Sequence, residues 1–156
     1  MVRPFRWETD RYGEYSKIGE FVYDHPFQWG SKRIGPDLHR VGGKYPNAWH
    51  YDHMMEPQLV TEGSIMPRYP WLYDDDLDIS STPSKINVMT TLGVPYPEGY
   101  ADVANKDLAT QAEEIALDLK DMGFDADPKK EIIALIAYLQ RLGTDIKGAS
   151  TESVAK

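Results

Sequence analysis

The last third of the chain carries two segments whose apolar residues recur at helical spacing, and these segments constrain the fold more than any other feature. The first contains Leu108, Ala112, Ile115, Leu119 and Met122. Intervals of three and four residues align such side chains on one face of a helix. The second contains Ile132, Ile133, Leu135, Ile136, Leu139 and Leu142. Because the sequence shows no convincing strand, the spacing predicts a mainly α fold.

Glycine and proline mark the predicted ends of these two helices. Gly123 follows the first apolar face and is suited to a helix stop. Asp127 and Pro128 predict the start of the second helix, with Asp127 as the N-cap and proline at the first helical position. Gly143 predicts its end.

The rest of the chain predicts shorter elements. A helix over residues 47–55 is expected, because Asn47 is a favoured N-cap and Pro57 cannot continue a helix. Four other stretches are predicted to lack long helices: turns over 1–45, a proline-rich loop over 57–73, an acidic surface segment over 74–100 and a polar tail over 144–156.

Composition excludes several classes of protein. The 156 residues suit one domain and contain no cysteine, which rules out disulfides, thiolate zinc sites and cysteine nucleophiles within them. Residues 74–156 hold 8 basic and 16 acidic residues, and this difference accounts for the net charge of −8. An acidic chain is a poor partner for nucleic acid. The longest apolar run, from Ile132 to Leu139, is too short to span a membrane, so we expect a soluble chain.

Two weak metal motifs favour structural interpretations. Asp74, Asp76, Asp78 and Ser80 fit the first positions of a calcium loop, but the glycine and the final glutamate of that loop are missing, so a solvated acidic turn is the better interpretation. His50 and His53 lie three residues apart on the predicted short helix. Two histidines without a third ligand indicate zinc only weakly, so structural or interfacial roles are favoured.

Met66 lies in the proline-rich loop and is the candidate cofactor ligand. A methionine beside proline is usually core filler. Its position after the Gly35-Pro36 turn and before the last helix is, however, the order found in small c-type cytochromes. There a proline carbonyl orients the proximal imidazole, and a loop brings a thioether to the opposite face of the haem. Covalent attachment of that haem uses Cys-x-x-Cys-His, which this chain lacks.

Several longer motifs carry a specific resemblance. They are Met1-Val2-Arg3-Pro4-Phe5-Arg6, the run from Tyr23 to Leu38 that contains His25-Pro26-Phe27-Gln28-Trp29-Gly30, Arg40-Val41-Gly42-Gly43-Lys44-Tyr45, Trp49-His50 with His53, and Met66-Pro67 with Tyr69-Pro70-Trp71-Leu72. Together they resemble the monohaem cytochrome c subunit, or subunit II, of cbb3-type cytochrome c oxidases, the FixO/CcoO family. The resemblance is dense over residues 1–73 and looser to about residue 143.

The resemblance implies a cytochrome c-like (class I) domain over residues 1–143 that lacks its N-terminal haem-attachment helix. Residues 1–73 would form a loop-rich half that faces the haem, residues 101–143 a helical half, and residues 144–156 a flexible tail. The chain would begin just after the attachment motif, so we expect a truncated form without covalent haem c. The family's membrane anchor would also lie upstream.

The resemblance also implies roles for individual residues. Met66 would be the distal iron ligand, and the carbonyl of Pro36 would accept a hydrogen bond from the proximal histidine. Four residues would lie near the haem edge and propionates: Trp49, Arg68, Tyr69 and Trp71. Ser31 would approach an ion that bridges two subunits.

The implied function is electron transfer. Haem c in the intact subunit would accept electrons from a donor cytochrome c and pass them to the catalytic subunit, at the periplasmic face of the bacterial inner membrane. The chain itself would carry no catalytic residues. Without the attachment helix, an exposed apolar cleft would favour self-association. Two alternatives stay open: a haem-free helical interaction module of a membrane complex, and a metal-dependent hydrolase that uses His50, His53 and the Asp74–Asp78 cluster.

Overall fold

A computed structural model of the chain describes residues 6–12, 17–24, 26–29 and 38–144. Within these ranges the secondary structure is helical: α1 (Arg6–Tyr12), a short 3-10 helix (Ile18–Phe21), α2 (Asn47–Met55), α3 (Pro57–Val60), α4 (Trp71–Asp74), α5 (Thr82–Thr91), α6 (Tyr100–Asp121) and α7 (Glu131–Arg141). The described residues contain no strand, and an isolated antiparallel bridge joins Asp76 and Lys130. The predicted mainly α class is therefore confirmed.

Residues 46–137 form one compact unit, and its core is built from the two predicted apolar faces. Helices α6 and α7 supply the buried residues of this core: Ala112, Ile115, Leu119, Ile132, Ile133 and Ile136. Helix α2 packs against it through Ala48, Tyr51 and Met54. The long helices thus form a base on which α2 is held.

The predicted ends of the long helices need two corrections. Met122 does not belong to the buried face and is 47% exposed, because α6 ends at Asp121 and Gly123 then turns the chain with a φ of +92°. Helix α7 begins at Glu131 rather than at Pro128. Asp127 does not act as a helix N-cap, because its Oδ1 accepts a hydrogen bond from Lys129 N at 3.0 Å in a local turn that precedes the helix.

The N-cap predicted for α2 was wrong, and one helix of the structure was not predicted. Helix α2 spans Asn47–Met55 as expected, but its N-cap is Pro46. Asn47 instead donates from Nδ2 to Asp118 Oδ2 at 2.8 Å, which links α2 to α6. The segment over residues 74–100 lies at the surface as expected, with no buried residue, but it contains an additional helix, α5, which packs against α6.

The described residues among 1–45 and 138–144 belong to a second compact unit. Its described core consists of Phe21, Leu38 and Leu142, with Trp29, Val41 and Leu139 packed around it. The turn over residues 42–45 is bound to the end of α7 by three hydrogen bonds: Gly42 N to Leu142 O at 2.8 Å, Gly43 N to Gln140 Oε1 at 2.9 Å, and Gln140 Nε2 to Tyr45 O at 2.9 Å.

The polar tail predicted over residues 144–156 lies outside the described residues after Thr144. Across the described ranges, no helix combines the length and the apolar character that crossing a membrane requires.

Candidate ligand site on the Met66 loop

The Met66 loop, defined here as residues 61–70, begins with a tight turn after α3. Gly63 has a φ of +73°, a conformation that glycine adopts without strain. Ser64 N donates to Thr61 O at 3.1 Å, and Gln58 Nε2 on α3 donates to Ser64 O at 3.3 Å. Met66 N then donates to Ser64 Oγ at 3.2 Å. The backbone of Met66 is thereby tied to the start of the loop.

The other end of the loop is bound to the C-terminus of α2. Tyr69 N donates to Met54 O at 3.0 Å, and Arg68 Nε donates to Met55 O at 3.1 Å. Arg68 Nη2 also lies 3.0 Å from Glu56 Oε2. The loop is therefore attached on both sides of Met66, whose side chain is half-buried, whereas neighbouring Ile65 is fully exposed.

Two of the aromatic residues singled out in the sequence follow this anchor. Tyr69 is half-buried and makes an edge-to-face contact with Trp71, with ring centroids 5.3 Å apart. Trp71 begins α4 and is 48% exposed. The Tyr73 hydroxyl, on the same helix, donates to the carbonyl of Tyr51, and burial raises the pKa of Tyr73. These contacts hold the segment after the loop against α2.

The Trp49 ring contacts two histidines of its own helix, α2. Its ring stacks on His53, with centroids 4.4 Å apart and an angle of 16°, and meets His50 edge-on at 5.2 Å. His53 Nδ1 is buried and has no hydrogen-bond partner among the described residues. Burial lowers the pKa of both histidines, and the charge of His53 lowers that of His50 further. Both rings are thus held in the neutral form, the form in which imidazole binds metals.

The acidic turn after α4 is held by contacts within the protein. Asp76 Oδ1 accepts from Lys130 Nζ at 2.7 Å, and this hydrogen bond lowers the pKa of Asp76. Asp78 Oδ1 accepts from Ser80 N at 2.9 Å. In the part of the chain that the structure describes, no group of three or more His, Asp or Glu side chains is arranged to hold a metal ion.

Two of the predicted site residues cannot be placed in the structure. Pro36 and Ser31 lie outside the described residues. Sequence reasoning singled out Met66, Arg68, Tyr69, Trp71 and Trp49 but missed Glu56, the carboxylate that pairs with Arg68. The only local signal was Pro57, which ends α2 and leaves nearby helix carbonyls without their usual partners.

Comparison with known proteins supports the family resemblance that the sequence motifs indicate. The model of the family described as "Cytochrome C oxidase, mono-heme subunit/FixO" matches residues 1–146. No curated protein matches the chain. A match over nearly the whole sequence shows the family, whose members are electron-transfer subunits of a membrane oxidase complex. The chain therefore belongs to the FixO family, the mono-haem subunits of cbb3-type cytochrome c oxidase.

Proposed function

We propose that Met66 would hold the iron of haem c in this subunit, as its distal ligand, and that the Met66 loop would cover the haem on that side. The observation that supports this proposal is the double attachment of the loop. Hydrogen bonds to Ser64 and to the end of α2 flank a half-buried thioether. Supporting contacts of this kind hold a binding residue within the narrow geometry that a ligand site requires.

The residues present fit the distal side of a haem. Thioether sulfur is a soft donor that suits haem iron, and methionine ligation raises the reduction potential. When bound, the haem supplies one-electron redox chemistry, and the chain supplies binding, orientation and exclusion of water. The 156 residues contain no cysteine, so thioether bonds to a porphyrin cannot form from within them.

In this proposal the subunit passes electrons from a donor cytochrome c through haem c to the catalytic subunit. We assign no step of oxygen reduction to its residues. Trp49, Tyr69 and Trp71 are proposed to lie near the haem edge, Pro36 to orient the proximal histidine, and Ser31 to approach an intersubunit ion. Family members belong to a membrane complex. We propose that this domain lies at the periplasmic face of the bacterial inner membrane, as the family resemblance implies.

Titration of the chain with ferrous haem tests the assignment of Met66. We expect a Soret shift that saturates at one haem per chain and is lost in Met66→Ala. Met122→Ala is the matched control, because it removes an exposed methionine from the end of α6 and should leave the titration unchanged. Equal titrations of Met66→Ala and the parent chain would contradict the proposal and favour the haem-free interaction module.

Self-association is a further part of the proposal, and it concerns the chain without its haem. The region around Met66 exposes Ile65, Leu59 and Trp71, which are 101%, 74% and 48% accessible. Exposed apolar side chains of this kind favour association between copies. Sedimentation at increasing protein concentration, with and without haem, should show association that haem reduces.

A further inference from the structure

We infer that Arg68 and Glu56 form a positioning pair that fixes the Met66 loop on the C-terminus of α2 and thereby sets how strongly the Met66 thioether binds iron. The inference rests on the proposed function, in which Met66 is the ligand. It gives Arg68 a role different from the propionate contact that family resemblance implies, because the guanidinium acts through the loop.

The pair exists because Pro57 ends α2. The last carbonyls of a helix have no partner within it, and Pro57 stops α2 from continuing to the residues whose N–H groups would have bonded to them. Leu59 N, which would continue the pattern to Met55 O, instead donates to Glu56 O at 3.0 Å. The Met66 loop supplies the missing donors: Tyr69 N for Met54 O and Arg68 Nε for Met55 O.

The shape and charge of arginine match this position. The guanidinium presents Nε to the Met55 carbonyl at 3.1 Å and Nη2 to Glu56 Oε2 at 3.0 Å. A positive charge is also favourable at the negative end of a helix dipole. Lysine keeps the charge but lacks the planar fork, so it cannot reproduce both contacts in the same geometry.

The connection from this pair to the sulfur is short. Only Pro67 separates Arg68 from Met66, and proline fixes its own φ. On the other side, Met66 N is held by Ser64 Oγ. A displacement of the backbone at Arg68 should therefore also displace the backbone of Met66.

Loss of the Arg68–Glu56 pair should change the stability of the fold only slightly. Its effect on the position of the Met66 loop can therefore be measured separately from unfolding. The side chains of Arg68 and Glu56 are 62% and 27% exposed, and ion pairs in such positions add little to folding. Loss of the pair should therefore change the order of the loop while the folded state persists.

The test is NMR of the chain with methyl-labelled methionine, with the Met66 signal assigned by its absence in Met66→Leu. In Arg68→Gln we expect the Met66 methyl to shift toward its random-coil position and to sharpen, with a smaller change in Arg68→Lys and in Glu56→Gln. The matched control is Arg6→Gln, which removes an exposed arginine paired weakly with Asp10 at 4.0 Å. An unchanged Met66 signal in both Arg68 variants would overturn the inference.

Ferrous-haem titration of the same variants separates this inference from the proposed function. We expect affinity about tenfold weaker in Arg68→Gln, the scale typical of losing a partner that orients a metal ligand. If Met66→Ala leaves haem binding intact while Arg68→Gln still moves the Met66 methyl, the proposed function fails together with the effect on iron binding, and only the fixing of the loop by the pair stands. If haem binding depends on Met66 but is equal in Arg68→Gln and the parent, the positioning role fails.

Discussion

Lys130 Nζ donates to Asp76 Oδ1 at 2.7 Å and to the Asp74 carbonyl at 2.9 Å, so one ammonium group joins the start of α7 to the segment after α4. Two backbone hydrogen bonds run beside it: Leu77 N to Lys129 O at 2.8 Å and Glu131 N to Asp75 O at 3.2 Å. The acidic run that suggested a calcium loop is thus part of a connection within the protein.

Replacing Lys130 with methionine removes this ion pair and should lower the melting temperature. The loss should be only a few degrees, because the pair lies at the surface and is screened by salt. The hydrogen bond from Lys130 lowers the pKa of Asp76, so its contribution is present above the ordinary carboxyl value of 3.8 and is lost as the pH falls through the lowered pKa. The difference between parent and variant should therefore shrink below pH 3.8 and in 1 M salt. Lys129→Met, at the exposed neighbouring position, should have the smaller effect at neutral pH; a Lys130 effect independent of both pH and salt would contradict this account.

Leu119 tests the core that positions α2. Its side chain is completely buried between α6 and α7, so Leu119→Ala should lower the free energy of unfolding by about 2–5 kcal/mol. Leu117 lies two residues away on the same helix and is 62% exposed. Leu117→Ala should change the free energy of unfolding by no more than about 0.5 kcal/mol. Urea denaturation of the two variants measures the difference, and equal losses would show that the apolar face is assigned incorrectly.

Sequence patterns predicted the long helices because each long helix carries a continuous apolar stripe, as Leu119 and Ile136 illustrate. They missed α5, because that helix has no buried residue and its apolar side chains make no stripe. They placed the start of α7 too early, because Asp127 is equally suited to a turn and to an N-cap.

The candidate site was predictable only in part for a related reason. Met66 could be selected from its place in a motif. Arg68 holds the loop through Glu56 and the carbonyl of Met55. These partners lie too far from Arg68 in the sequence for a local pattern to predict the contacts. In addition, any residue can offer a backbone carbonyl, so the sequence does not show which carbonyl accepts a hydrogen bond.

Gly42 is expected to tolerate no side chain. A Cβ at this position would lie 2.3 Å from Gln140 O and 2.7 Å from Leu142 O, both backbone atoms that cannot move aside cheaply. Gly42→Ala should therefore cost about 1–3 kcal/mol, the usual penalty for overpacking. Gly19 has nothing within 4 Å of such a Cβ and is the control. Thermal unfolding should show a large loss only in Gly42→Ala; equal effects of the two variants would mean that the turn does not pack on α7 as described.

The two histidines of α2 should make stability depend on pH. His50 is only 2% exposed, and its pKa is lowered first by burial and then by the charge of His53. An unfolded histidine titrates near 6.5. Between that pH and the lowered pKa of the folded state, the unfolded chain therefore binds more protons than the folded chain. Stability is therefore fully present above pH 6.5 and falls as the pH drops from 6.5 through the lowered folded pKa, by at most about 1.4 kcal/mol per pH unit for each proton.

Variants that cannot titrate isolate this effect. Urea unfolding between pH 7.5 and 5 should show a smaller slope in His50→Gln than in the parent chain, even where the variant is less stable throughout. His53→Gln should also flatten the curve, because it removes one titrating ring and the charge that lowers the pKa of His50. Since carboxylates titrate mainly below pH 5, they change this slope little. A parent and a His50→Gln variant with the same slope would show that His50 binds its proton equally well in the folded and unfolded chain.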